Sequence, residues 1–368
     1  MVKKEWRIRG MKICFLADIN SAHTRKWLKY FKETGNEVYV ISLEDGEFEG
    51  VKVFSLGVDK SIAKKKSTLS KLSYLKNIIR IRKIVRDINP DILNAHYASS
   101  YGLLGSLCKY KPYILSVWGS DIYDFPNRSF IHKALIKYNL NRADYIFSTG
   151  NQMKCEISKY TSKEIYITPF GIDLDTFNGC KKEHKNITIG IAKSLEDIYG
   201  VDLLINVFAK LCENNNNILL KIAGNGTKEN ELKNLGRKLG IDKRVKFLGY
   251  LNTEELVKFY QEIDVAVFPS RAESFGVAAL EAQANRIPVV VSDAPGFKDT
   301  VINLETGFIV EKDNILKFVE RIDKLIIDKE LREQMGERGR CFVEENYNIE
   351  NNFNYISELF RKISDKTI

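Results

Sequence analysis

Residues 263–293, IDVAVFPSRAESFGVAALEAQANRIPVVVSD, restrict the fold more than any other stretch of the chain. The apolar run Ile263, Val265, Ala266, Val267 and Phe268 reads as a buried strand, and Pro269-Ser270 as the turn that ends it. A loop carrying Gly276 follows, then a helical stretch over 277–285, then a second apolar strand over 287–291. Strand, loop, helix, strand is the unit of a doubly wound parallel sheet, and such sheets bind ligands in the loops at the carboxyl ends of their strands.

The loop in this unit suits a phosphate. The amides of Ser274, Phe275, Gly276 and Val277 fall where a helix starts, so they lack intrahelical acceptors and sit at the positive end of the helix dipole. Gly276 lets a ligand approach the main chain with no side chain between. Glu273 precedes the helix and Glu281 is expected about two turns inside it, roughly 10 Å beyond the loop at ~1.5 Å per residue. Carboxylates accept paired hydrogen bonds from vicinal diols. A diphosphate with a sugar at one end and a ribose at the other would satisfy the amides and both glutamates. Two solvated helix-end glutamates are the plainer alternative.

The same pattern recurs along the chain. In the first half, strands are expected over 12–16, 38–41, 92–95, 113–117 and 145–148, with a helix over about 24–34 stopped by Gly35, which can take the left-handed conformation a helix end favours. Residues 178–186 carry no periodicity and read as a linker. The alternation restarts with strands over 188–191, 219–223, 245–248, 265–268 and 307–309, helices over 201–212 and from Thr253, and helical segments from Ile315 to the end. The expected organisation is α/β, with two doubly wound domains facing a cleft: residues 11–177, a linker at 178–186, residues 187–345, and a final helix over 346–368. A strand begins directly after Met11, so residues 1–10 read as an extension.

Bulk composition agrees with two domains. A chain of 368 residues exceeds what one hydrophobic core usually supports. With 44% hydrophobic and 29% charged residues, and no run of about 18 apolar residues, no membrane span is expected. The start has no long apolar segment of the kind a secretory signal needs. The six cysteines are scattered, without paired spacing or neighbouring histidines, so reduced thiols and no zinc site are expected. The net charge is +9, and residues 60–86 hold ten Lys or Arg with no acid. Apolar residues recur there at helical spacing (Leu69, Leu72, Leu75, Ile78, Ile79, Ile81, Ile84, Val85, Ile88), which predicts a basic amphipathic helix. It suits either a solvated face or an anionic membrane surface; no nucleic-acid module accompanies it, so no nucleic-acid partner is expected.

Several segments resemble glycosyltransferase family 4, retaining enzymes of the GT-B fold. They are the FPS…Glu-x7-Glu…PVVVSD segment, HTRKW (23–27), SVWGSDI (116–122), PFGIDLDTF (169–177), YGVDLLINVFAKL (199–211), IAGNG (222–226) and VKFLGY (245–250), in the family's order over nearly the whole chain. The resemblance implies two Rossmann-like doubly wound α/β domains, a nucleoside-diphosphate-sugar donor, UDP- or GDP-linked, as substrate, and a glycan or lipid-linked acceptor. No cofactor and no metal are implied.

Carried onto this chain, the resemblance assigns Lys193 and the amides of 275–277 to the diphosphate, Glu273 to the donor sugar and Glu281 to the ribose. It sets Gly224 and Gly226 along the donor pocket and gives Tyr250 and Leu251 to the base. The family follows its first cation with a Lys five residues later, where this chain has Ile198; Arg271 is the basic residue nearest the loop. Trp118 stands where relatives often carry His, and as an indole it can wall a sugar ring but cannot move a proton. Gly119 and Asp121 belong to the same loop, Asp121 as a catalytic candidate. His96 ends a strand. Asn20 and Ser21 replace a glycine-rich loop and, with His23, are expected on the acceptor side.

The implied reaction transfers a sugar with retention at the anomeric carbon, the leaving phosphate itself taking the acceptor proton, in cell-surface polysaccharide or glycolipid synthesis. The expected location is cytoplasmic, with peripheral contact at the inner face of the cell membrane through residues 60–86. Two alternatives stay open at this point: a donor-binding partner without activity in a polysaccharide assembly complex, and a GT-B relative such as a nucleotide-sugar epimerase or sucrose-type synthase.

Overall fold

The computed structural model describes residues 10–58, 77–179 and 186–368. Two compact units share them. One comprises the chain to Pro169 together with Phe353–Ile368, and the other comprises Phe170–Asn352. The first division thus falls ahead of the expected 177/178, because Phe170 packs on Phe275 at 5.5 Å and Ile172 pairs with Asn348, both inside the second unit. Residues 180–185 of the expected linker, and 60–76 of the expected basic helix, lie outside the described residues.

The first unit is a seven-stranded parallel sheet. In chain order its elements are β1 (Lys12–Leu16), α1 (Ala22–Glu33), β2 (Glu37–Ser42), β3 (Lys52–Ser55), α2 (Ile78–Ile88), β4 (Ile92–His96), α3 (Ser100–Cys108), β5 (Tyr113–Val117), α4 (Ser120–Tyr123), α5 (Phe130–Arg142), β6 (Tyr145–Ser148), α6 (Asn151–Ile157) and β7 (Ile165–Ile167). The strand order β3-β2-β1-β4-β5-β6-β7 reverses between β1 and β4. Strands β4 and β5 are buried at every position, as both faces of a parallel sheet must be when helices cover them. Two helices here have no helical period to read. Helix α3 is buried almost all round, and α5 carries apolar residues on its inner and outer sides alike. Strand β3 is a four-residue edge, half-buried, with too few residues to show alternation.

The second unit has six parallel strands: β8 (Ile187–Ala192), α7 (Val201–Asn214), β9 (Ile218–Ala223), α8 (Glu229–Lys238), β10 (Val245–Gly249), α9 (Thr253–Gln261), β11 (Val265–Phe268), α10 (Val277–Ala284), β12 (Val289–Ser292), α11 (Phe297–Thr300), β13 (Gly307–Val310), α12 (Ile315–Ile327) and α13 (Lys329–Asn346). The order β10-β9-β8-β11-β12-β13 reverses between β8 and β11, which puts the crevice at their carboxyl ends, beside Lys193 and the loop 269–276. Strand β12 begins at Val289 rather than Ile287. The chain must first turn back at the end of α10, with Arg286 left-handed at φ 57° and the Ile287 amide still bonded to the Ala282 carbonyl at 3.1 Å. A last helix, α14 (Ile349–Ser364), runs from this unit into the first. There Phe360 stacks on Phe31 with centroids 5.1 Å apart, and Phe353 on Tyr30 at 4.7 Å.

Candidate active site

In the second unit the two loops at the switch point carry opposite charges into one place. Lys193 directly follows β8, and Glu273 lies midway along the loop after β11. Their side chains, both largely buried, meet with Nζ 2.6 Å from Oε2. The Tyr199 ring lies under the same ammonium, 4.8 Å from its centroid. The Glu273 carbonyl accepts the Gly296 amide at 3.0 Å, which fixes the loop against the chain entering α11.

Beyond Glu273 the loop packs closely on the second unit. Phe275 is buried, its ring edge-on to Phe170 and to Tyr347 at 5.8 Å, which fixes the main chain at 274–276. Gly276 sits at φ 99°, and a Cβ there would come within 2.9 Å of the Phe297 and Thr300 side chains. Only glycine takes both the conformation and the space cheaply. The amides of residues 274–278 donate to no protein acceptor among the described residues. An eight-residue helix headed by such amides attracts an anion.

Glu281 lies nearer to this end than its spacing suggests. Helix α10 starts at Val277, so Glu281 is just over one turn inside it, about 6 Å along the axis from Val277. Its Oε2 accepts the Tyr260 hydroxyl at 3.1 Å. Tyr260 is wholly buried, and burial, then the Glu281 charge, hold its hydroxyl well above the usual tyrosine range, so it remains a donor.

Gly224 and Gly226 are explained first by main-chain packing. A Cβ on Gly224, at φ 129°, would stand 1.9 Å from the Lys193 carbonyl, and one on Gly226 2.4 Å from that of Leu195. Leu195 and Lys228 amides bond across this contact at 2.9 and 3.0 Å. The glycines therefore let the strand-end segment carrying Lys193 lie flat on its neighbour. The Gly224 amide also reaches the Gly249 carbonyl at 2.7 Å, next to Leu251 and to Tyr250, whose side chain is 75% exposed. Arg271 is committed elsewhere: it forms a two-toothed pair with Asp202 at 2.9 and 2.7 Å and also reaches Asp313 at 3.3 Å. It is not a spare cation for the loop.

The first unit gathers the other candidates at the carboxyl ends of β1, β4 and β5. Trp118 is buried rather than presented as an open wall. Its indole lies 4.1 Å from the His96 ring, 5.4 Å from Tyr97 and 6.0 Å from His23. His96 is fully buried, with Nδ1 3.4 Å from the Thr24 hydroxyl and, among the described residues, no hydrogen-bond partner at Nε2. Burial, then His23, hold its pKa well below the usual histidine range. Burial and nearby Lys26 bring His23 down to about 4. Both imidazoles are therefore neutral near pH 7.

Asp121 is buried with its oxygens turned onto its own loop and onto the segment after β4. It accepts the amides of Ala98 at 2.6 Å, Gly119 at 2.7 Å and Trp118 at 3.3 Å. Desolvation raises its pKa, and those amides oppose the rise. Asn20 is exposed and donates to the Asp45 carbonyl at 3.0 Å; Ser21 precedes α1 without a side-chain cap.

Tyr199, Tyr260 and the Asp202–Arg271 pair lie outside the sequence-derived set. Tyr199 had a signal, directly preceding the left-handed Gly200 at the start of α7. Tyr260 has none, because its contact with Glu281 exists only once α9 packs beside α10. Among the described residues no three His, Cys, Asp or Glu side chains gather as a metal centre would require, and no helix is long and apolar enough to cross a membrane.

Known proteins share this framework. Residues 175–342 match the family model for glycosyl transferases group 1, and residues 12–150 match that for glycosyl transferase 4-like proteins. An uncharacterised glycosyltransferase of Methanocaldococcus jannaschii is 28% identical over 275 residues, 74% of this chain and 76% of that one. The capsular polysaccharide biosynthesis glycosyltransferase CapM of Staphylococcus aureus is 26% identical over 344 residues, 88% of this chain and 89% of its own. The solved structures of Anabaena HepE with UDP and with UDP-glucose superpose with TM-scores of 0.80 and 0.79 at 17% identity, over 96% of this chain and 100% of that one. At that identity the likeness is one of fold. With one model falling on each α/β unit, and its relatives transferring sugars, the chain belongs to the group 1, family-4-like glycosyltransferases with the GT-B fold.

Proposed function

We propose that this glycosyltransferase moves a sugar from a UDP- or GDP-linked donor to an acceptor hydroxyl with retention at the anomeric carbon, in the synthesis of a cell-surface polysaccharide or glycolipid. One observation carries the reading: the Lys193–Glu273 pair stands beside a helix start with unengaged amides. Lys193 and the amides of 275–277 would take the diphosphate, Glu273 the transferred sugar and Glu281 the ribose. Gly224 and Gly226 would line the donor pocket, and the chain at Tyr250 and Leu251 would meet the base. The UDP complexes of HepE, and the capsular role in CapM's name, favour this donor class and this setting.

In the proposed step the bond from the anomeric carbon to the diphosphate oxygen breaks as the bond to the acceptor oxygen forms on the same face. The acceptor's proton passes to a departing phosphate oxygen. The protein's contribution is positional and electrostatic: a cation and fixed dipoles placed where negative charge develops. A divalent metal is not required for it. On the acceptor side we assign Asn20, Ser21, His23, His96, Trp118 and Gly119, with Asp121 as a positioning residue that shapes the 118–121 loop. The enzyme would work at the cytoplasmic face of the membrane, held in part by the basic segment 60–86, of which α2 is the described end.

The test is incubation with UDP- and GDP-sugars and lipid-linked glycan acceptors, following nucleoside-diphosphate release and the anomeric configuration of the product. Slow release that accelerates with acceptor, and a retained configuration, are expected. Donor binding without release under any acceptor, or an inverted product, would overturn the reading.

A further inference from the structure

Helix α5 presents a face that none of the described residues covers. Phe130 is 82% exposed, Ile131 54% and Tyr138 43%, and Ala134 between them is exposed as well. At about 100° per residue these four positions fall within roughly 100° of arc. The helix is not loose: Ile136, Asn139 and Leu140 are buried on the opposite side, Asn139 donates to the Ala98 carbonyl at 2.7 Å, and Ser129 caps the first turn by accepting the His132 amide. The apolar face is therefore held in place rather than exposed by fraying.

The charge along the helix itself has one sign, although Asp124 and Asp144 lie just beyond its two ends. Residues 125–143 contain Arg128, Lys133, Lys137 and Arg142 and no Asp or Glu. Lys133 and Lys137 flank the arc on one side and Arg142 on the other. Helix α2 packs on α3, and α3 on α5, so the three form one layer over the sheet. Helix α2 adds Ile79, 77% exposed, and the exposed Arg80, Lys83 and Arg86 against one exposed acid, Asp87.

We propose that the outer face of α5, with Phe130 and Ile131 at its tip, is a docking surface for an anionic lipid bilayer. Side chains of this kind divide naturally at such an interface: an aromatic ring and a branched aliphatic enter the acyl boundary, while lysines extend their heads to lipid phosphates. A protein partner fits less well, since interface centres are depleted of lysine and here lysines adjoin the apolar residues. The proposal uses neither the Lys193–Glu273 pair nor residues 60–76, and it stands whether or not the donor assignment holds.

The experiment is co-sedimentation of the full chain with phosphatidylcholine vesicles, with and without phosphatidylglycerol, at about 0.1 M salt. Binding to the anionic vesicles alone is expected. Phe130→Ser/Ile131→Ser and Lys133→Glu/Lys137→Glu should each lower the partition coefficient at least about tenfold, with unchanged melting temperature and donor turnover in solution. As an independent readout, Phe130→Trp should add fluorescence that brominated lipids quench in anionic vesicles. Equal sedimentation of wild type and both double variants, no sedimentation of the wild type, or an unquenched signal would overturn the proposal. So would a concentration-dependent dimer dissolved by the same substitutions, which would assign the face to a second copy of the chain.

Discussion

Lys193 and Glu273 are each other's counter-ion, 2.6 Å apart at the carboxyl ends of the two central strands of the second unit. A pair this sheltered orders both side chains, and its position beside unengaged amides matters more than its own stability. Replacing Lys193 with Ala should lower kcat by roughly 10²-fold, the scale seen when one preorganised transition-state donor is removed, and should also lower the melting temperature, since Glu273 is left buried without its counter-ion. Steady-state release of nucleoside diphosphate checks it; undiminished turnover would remove Lys193 from the site.

Tyr199 supports that cation from the other side, its ring centroid 4.8 Å from Nζ. The family resemblance implies a second lysine where this chain has Ile198, and the ring of the next residue lies against the Lys193 ammonium. A cation–π contact is worth about 0.5–1 kcal/mol or more when desolvated, which corresponds to a few-fold in rate. Tyr199→Phe should retain wild-type kcat, and Tyr199→Leu should lose about three- to tenfold by the same measure. Equal loss in both variants would point to the hydroxyl rather than the ring.

Glu281 is oriented by the buried Tyr260 hydroxyl at 3.1 Å. If Glu281 grips the donor ribose, Glu281→Ala should raise the donor KM about tenfold or more with a smaller change in kcat, since a hydrogen bond to a charged group contributes about 1.5–3 kcal/mol. Tyr260→Phe should shift KM in the same direction by less. A change in kcat alone for Glu281→Ala would contradict a ribose contact.

Apart from the short edge strands β3 and β7, the strands of both sheets were legible because parallel strands covered on two faces must be continuous apolar runs, as in VAVF and VVVS. The loop between those two strands was legible as a helix start with unengaged amides, because such a start needs no partner residue to offer them. What could not be read depends on distance in sequence. Tyr260 reaches Glu281 only across two packed helices, and Arg271 is drawn from the loop by Asp202, far back in α7. The depth of Glu281 was misjudged although the helix starts at Val277 as expected: the eight-residue spacing was counted from Glu273, and counted from Val277 it is four residues, just over one turn. Trp118 looked like a sugar platform until its packing on His96 placed it inside the unit. Helix α5 escaped detection for the reason that makes it of interest: apolar residues on its outer side erase the period that marks a helix with one buried face.

Metal independence follows from the proposed step, in which a lysine and backbone dipoles oppose the diphosphate charge. Excess chelator should leave the initial rate within about twofold of the untreated enzyme, where loss of a catalytic metal would remove several kcal/mol of transition-state stabilisation. Abolition of activity by chelator, restored by added magnesium or manganese, would show that the charge is met by an ion.

The histidines of the first unit predict an acid limit. His23 is held near pKa 4 by burial and Lys26, and His96 lies well below the usual range. Unfolded, both would titrate near about 6.5. A histidine whose folded pKa is lowered binds its proton more readily when unfolded, so its contribution to stability is complete above the unfolded value. That contribution then falls away as pH drops through the window from about 6.5 towards the folded value. The melting temperature of the wild type should therefore decline from pH 6.5 to 4.5, and His23→Gln should decline less steeply over the same interval. Thermal denaturation followed by circular dichroism at several pH values compares the two directly, and parallel slopes would mean that His23 is not held neutral by its surroundings.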